Sequence, residues 1–129
     1  MTPLQLVQPL RRSALERLEP VVEALLHDLV VDEFQGHAYL DQTRDRLIHK
    51  IRQMPPHLGF GMVAMTLAWD AYGVSRGGQP SHLQPVEQRK ARFREWRDGP
   101  VLLQTWSQFY EKMGVFVYWS TVEDNGAEP

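Results

Sequence analysis

Residues 54–69 carry no Asp, Glu, Lys or Arg, and a chain that holds such a run has few ways to fold. As a helix the run rises about 24 Å, short of the roughly 30 Å hydrocarbon core of a bilayer, so it predicts a buried helix rather than a membrane span. Pro55 and Pro56 suit its first turn, where a missing amide donor does no harm, and Gly73 reads as its stop. Leu58, Phe60, Met62, Val63, Met65, Leu67 and Trp69 surround its axis. That pattern predicts the central element of a bundle, covered on most sides, with Met62, Met65 and Trp69 almost wholly buried. Gly59 and Gly61 inside it predict close approach by a neighbouring backbone.

The rest of the chain also repeats with helical period. Ser13 and Glu16 have capping-box spacing, which predicts a helix starting at Ser13, and Leu15, Leu18, Val22, Leu25, Leu26 and Leu29 follow on one stripe. Pro20 predicts a kink or break near Glu19. A second stripe of Leu40, Leu47, Ile48, Ile51 and Met54 ends at Pro55-Pro56. A fourth helix starts near Pro85, buries Val86, Phe93 and Trp96, and stops at Asp98-Gly99-Pro100; a fifth runs from about Pro100 to Thr121. Residues 115–119 have strong strand propensity but continue the stripe of Trp106, Phe109 and Met113 without a turn, so they are read as helical. The fold class is all-α, a compact bundle of four to five helices with a buried central helix. Residues 1–12 are read as an N-terminal extension, 13–121 as a single helical domain and 122–129 as a flexible tail.

Composition narrows the chemistry. The absence of cysteine among the 129 residues excludes disulfides, thiolate nucleophiles and cysteine-held metals, and a net charge of −2 argues against a protein whose main work is holding polyphosphate. Arg11 and Arg12 follow the apolar first residues, the reverse of a secretory signal, so the chain is read as cytoplasmic. Asp41, Asp45 and His49 share a face at four-residue spacing and present oxygen and nitrogen donors, but Arg44, Arg46 and Lys50 lie among them, the pattern of a solvated, ion-paired face. Residues 89–97 hold five cations, one acid and two aromatics. That is the stripe of an amphipathic helix with a basic outer side, with nucleic acid or an acidic partner protein as the functional alternatives. No glycine loop or serine elbow stands in the setting its chemistry needs.

The order of residues carries one resemblance. It runs through Arg52-Gln53-Met54-Pro55-Pro56-His57-Leu58-Gly59-Phe60-Gly61-Met62, an apolar helix to Tyr72, a glycine loop with Leu83, an arginine-rich helix with Trp96, and a last helix ending Phe116-Val117-Tyr118-Trp119. Over about residues 13–120 this resembles the small helical subunit of gluconate 2-dehydrogenase-type enzymes, and the helical segment that accompanies glucose/methanol/choline-type flavoprotein oxidoreductases. The resemblance implies a non-catalytic accessory subunit that binds and stabilises a larger flavin-dependent chain. FAD and the catalytic residues would belong to that partner, with no cofactor in this chain. Periplasmic members begin with an export signal, and this sequence departs from them there.

Two alternatives stay open: a small metal-binding helical enzyme built on Asp41, Asp45 and His49, and a free-standing regulator that uses the basic helix. For the accessory reading, the last helix bears more aromatics than one stripe can bury. Tyr110, Tyr118 and Trp119 are therefore expected to be partly exposed and, with Arg92 and Arg97 as polar rim, to dock the partner; the alternative is that these aromatics pack against the N-terminal helix and the first ten residues.

Overall fold

The computed structural model describes residues 3–34 and 39–126, and the side chains of 14–30 and 39–126. The elements are α1 (Pro3–Phe34), α2 (Leu40–Gln53), α3 (Pro56–Gly77), a 3₁₀ turn (Ser81–Leu83), α4 (Val86–Arg97), α5 (Val101–Phe109), a π turn (Tyr110–Gly114) and α6 (Val115–Asp124). Phe109, Tyr110, Gly114 and Val115 all hold right-handed helical angles, so α5, the π turn and α6 form one rod. The result is an all-α fold of five helices, with no strand among the described residues. Residues 115–119 are helical, as their stripe predicts.

α1 corrects two expectations. It begins at Pro3, so Ser13 lies inside a running helix rather than at its cap, and residues 3–12 continue that helix. It also runs unbroken past Pro20. Pro20 is on the exposed side, while Leu18, Val21, Val22, Leu25, Leu26 and Val30 are buried on the other. Each such side chain stabilises by about 1.5–3 kcal/mol when buried, which together outweighs the roughly 3 kcal/mol a proline costs.

The central helix is α1, not α3. α1 touches every other element except α5. In α3, Trp69 is fully buried, but Met62 and Met65 are only half-buried and Phe60 stands out in solvent. The glycine expectations for α3 divide. A Cβ on Gly59 would stand 2.9 Å from the Ile51 carbonyl oxygen, where the end of α2 crosses, whereas one on Gly61 meets open space. Gly73 is not the stop; α3 ends at Gly77, and Gly78 supplies the left-handed cap at φ 79°. Gly73 instead lets the 3₁₀ turn close on the helix, since a Cβ there would lie 2.5 Å from Ser81 N. Ser81 Oγ donates to Trp69 O at 2.9 Å, and Gln84 Nε2 donates to Gly73 O at 2.9 Å and Gln79 O at 2.8 Å.

The core is aromatic where α3, α4 and α5 meet. The Trp106 ring lies 5.8 Å from Trp69, 5.7 Å from Phe93, 5.1 Å from Trp96 and 5.3 Å from Tyr110, centroid to centroid. Downstream, the tail expected from residue 122 starts later. α6 continues to Asp124, buries Val122 beside Val30 and Tyr118, and is tied to α2 by Arg46–Asp124 at 2.6 Å and Asn125–Gln42 at 3.0 Å. Residues 127–129 lie outside the described residues.

Candidate docking surface

The five residues expected to dock a partner do not form one surface. Tyr110 is 0% exposed and Tyr118 5%, so both are core, which corrects the expectation that they stand partly free. α1 is the physical reason: Leu25 and Leu26 join Tyr110 in the main cluster, and Val30 packs with Tyr118 and Val122. Trp119 is half-buried, its ring 5.7 Å from that of Tyr118. The Arg92 guanidinium is turned to Glu95 at 3.2 Å. Arg97 is exposed and meets Asp98 at 3.5 Å.

Tyr110 is locked by a fully used hydroxyl. Thr66 Oγ1 donates to Met62 O at 2.7 Å and accepts from Trp106 Nε1 at 3.1 Å, which leaves its second lone pair for the Tyr110 hydroxyl at 2.6 Å. Tyr110 therefore donates. Burial holds its phenol well above the ordinary value of 10.0, a rise the Thr66 contact only partly offsets. The sign follows from linkage: above pH 10 the unfolded chain loses this proton and the folded chain keeps it. Stability contributed below that pH is thus lost as pH rises, at about 1.4 kcal/mol per pH unit. Urea titrations at pH 9, 10 and 11 should show stability falling slightly over the first interval and by about 1 kcal/mol over the second, as the slope approaches its full value, and Tyr110→Phe should remove that contribution.

The two alternative sites are occupied by structural pairing. Asp41, Asp45 and His49 are exposed, and Arg44 lies between Asp41 at 3.7 Å, Asp45 at 3.1 Å and Glu23 of α1 at 3.1 Å. Among the described residues no group of three or more His, Asp or Glu is placed to hold a metal ion. On the basic helix, Arg89 grips Asp28 of α1 through two bonds, Nε at 2.9 Å and Nη2 at 2.7 Å, and also donates to Gln84 O at 3.2 Å. That cation fastens α4 to α1 and is not offered to phosphate.

Sequence reasoning missed a polar pair. Asp70 Oδ1 accepts from His82 N at 2.8 Å and lies 2.7 Å from His82 Nδ1, joining α3 to the 3₁₀ turn. With Ser81 next to His82, this has the residue types of a hydrolytic triad but not its geometry. Ser81 Oγ is fully buried and spends its proton on the Trp69 carbonyl, so no nucleophile faces the histidine. Twelve residues separate Asp70 from His82, and no sequence spacing marks them.

The outer side of α3 leaves apolar surface in water. Phe60, Ala64, Ala68, Ala71 and Val74 are exposed there, with Phe60 at 77%, and Leu58 is exposed on another side of the first turn. Asp70, the first charged residue of the helix, turns inward to His82, and Arg76 begins the charge only in the last turn. About four turns of helix therefore present an uncharged face to water, where monomeric proteins rarely expose a large contiguous apolar patch. The available signal was the spacing of Gly61, Ala64, Ala68 and Ala71, small residues that recur on one side of an otherwise bulky helix.

No helix among the described residues is long and apolar enough to cross a membrane. Comparison with protein-family models, with curated proteins and with solved structures yields no match to the chain.

Proposed function

We propose that the chain is a non-catalytic accessory subunit that binds and stabilises a larger flavin-dependent oxidoreductase through the outer face of α3. The observation that carries this reading is that face: it is uncharged from Phe60 to Val74, Phe60 projects from it, and Leu58 is exposed at the same end of the helix. Burying each of these two side chains against a partner would contribute about 1.5–3 kcal/mol. The flavoprotein identity of the partner, of the glucose/methanol/choline type, rests on the resemblance that spans the same helix. FAD then belongs to the partner, the assembly is cytoplasmic, and this chain supplies surface rather than chemistry.

The test is purification of the tagged chain from its own host, beside a Phe60→Glu/Ala64→Glu variant. The chain is expected to bring down a larger protein that shows flavin absorbance. The variant should lose at least ten-fold in recovery while its melting temperature stays within a few degrees, because both positions are exposed. A partner without flavin overturns the oxidoreductase reading. An isolated chain that dimerises, and a variant that does not, would make this face an interface between two copies.

A further inference from the structure

A groove of about 330 Å³ opens between α1, α4 and the last helix. None of its lining residues comes from α3, so it is separate from the docking face. Its apolar floor is Leu25, Leu29, Phe93 and Val115. The volume is at the lower end of the range for small-molecule sites, about 300 to 1,000 Å³.

The charges around the floor do not cancel. Lys90, Arg94 and Arg97 fall on one side of α4 at helical spacing and all line the groove, as do Asp28 and Glu111. Asp28 is already neutralised by the two-bond grip of Arg89. Arg94 is exposed and makes no ion pair among the described residues, and Arg97 meets only the long, solvent-open contact with Asp98 noted above. The arginines near the end of α4 also suit the helix dipole, but that role needs only charge and would not call for an apolar floor beside them.

Glu111 adds a second requirement. It belongs to the π turn, and single π turns inside α-helices occur frequently at functional sites. Glu111 Oε1 is buried, with no hydrogen-bond donor among the described residues. Oε1 itself is closed to solvent, so a molecule seated here meets Glu111 as a carboxylate on the groove wall, which accepts an N–H or O–H.

We propose that this groove binds a small organic anion that carries a hydrogen-bond donor beside an apolar body. The anionic group lies on Arg94 and Arg97, the body covers Leu29, Phe93 and Val115, and the donor meets the Glu111 carboxylate on the groove wall. Inorganic phosphate alone would satisfy the first part and forfeit the other two.

The probe is 8-anilinonaphthalene-1-sulfonate, which joins a sulfonate, fused apolar rings and an anilino N–H. Its fluorescence is titrated against the wild-type chain and against Arg94→Gln/Arg97→Gln, Arg94→Gln alone, Glu111→Ala and Phe60→Ser. Circular dichroism and melting are recorded for each. The wild type should bind one equivalent saturably. The double arginine variant should bind about ten-fold or more weakly, the loss expected of charge-assisted hydrogen bonds, with the single variant intermediate. Glu111→Ala should also weaken binding, Phe60→Ser should leave it unchanged, and inorganic phosphate should compete only at far higher concentration. Absence of saturable binding overturns the proposal. So does binding that survives the arginine changes, or binding that Phe60→Ser abolishes, since the probe would then sit on α3.

Discussion

Replacing Trp106 by alanine is expected to destabilise the fold by about 3–5 kcal/mol, the range for emptying a large aromatic site in a core. Trp106 is 1% exposed and is the ring around which Trp69, Phe93, Trp96 and Tyr110 are arranged. It joins α5 to both α3 and α4, so the cavity would border three helices at once. The loss is a third or more of the stability typical of a small domain. Urea unfolding should show a lowered midpoint with little change in slope. Trp106→Phe separates packing from hydrogen bonding. It keeps a ring in place and removes the indole N–H that Thr66 accepts, while Thr66 still accepts from Tyr110, so it should cost clearly less. A loss below about 1 kcal/mol for Trp106→Ala would mean that this cluster does not hold the three helices together.

Much of this core was legible. Periodicity identified the five helices, and the prolines at 55, 85 and 100 marked their joints, because each stands immediately before a helix as its N-terminal flank. The order of burial was harder to read. α3 holds the longest uncharged run and has apolar residues all round its axis, which predicts it at the centre, whereas α1 is there. Apolar content ranks how much a helix can bury, not which neighbours reach it. The length of α1 lets it touch both the aromatic end of the bundle and α6. The start of α1 failed for a related reason. Ser13 and Glu16 have the spacing of a cap, but nothing upstream stops a helix, since Pro3 suits a first turn and Pro9 and Pro20 are carried within it.

The docking residues were misread as well. Tyr110 and Tyr118 read as surplus aromatics because those of the last helix spread beyond a single stripe. With α1 unbroken, its Leu25, Leu26 and Val30 cover them, and Thr66 takes the Tyr110 hydroxyl. Apolar surface remains in water on α3, at Phe60 and its neighbours, and also at Val101 and Leu102 of α5 and at Phe116 of α6. Arg97 kept its exposure but belongs to the groove. Glu111 had no signal at all, since its placement depends on a π turn that no local residue preference marks.

Breaking the Asp28–Arg89 pair is the second large effect to expect. Both side chains are mostly out of water, 10% exposed for Asp28 and 14% for Arg89, and the two bonds at 2.7 and 2.9 Å form a fork that holds α4 against α1. The hydrogen bond to Asp28 raises the Arg89 pKa further above its already high ordinary value despite the opposing effect of burial; once Asp28 is gone that support is lost, and the ordinary value of an arginine alone keeps the guanidinium charged. Asp28→Ala therefore leaves a largely buried cation with only the Gln84 carbonyl at 3.2 Å, and should cost about 2–4 kcal/mol, somewhat under the range for fully enclosed pairs because some solvent reaches this one. Arg46→Ala, which opens the exposed pair with Asp124, should cost no more than about 1 kcal/mol and less still in high salt. The decisive comparison is Asp28→Leu with Arg89→Met, which removes both charges and restores apolar volume between α1 and α4. If the cost of Asp28→Ala comes from stranding a charge, the double variant should recover most of it in urea unfolding. If the double variant is as unstable as the single one, the fork itself positions α4, and its geometry rather than its charge balance keeps the basic side of that helix turned toward the groove.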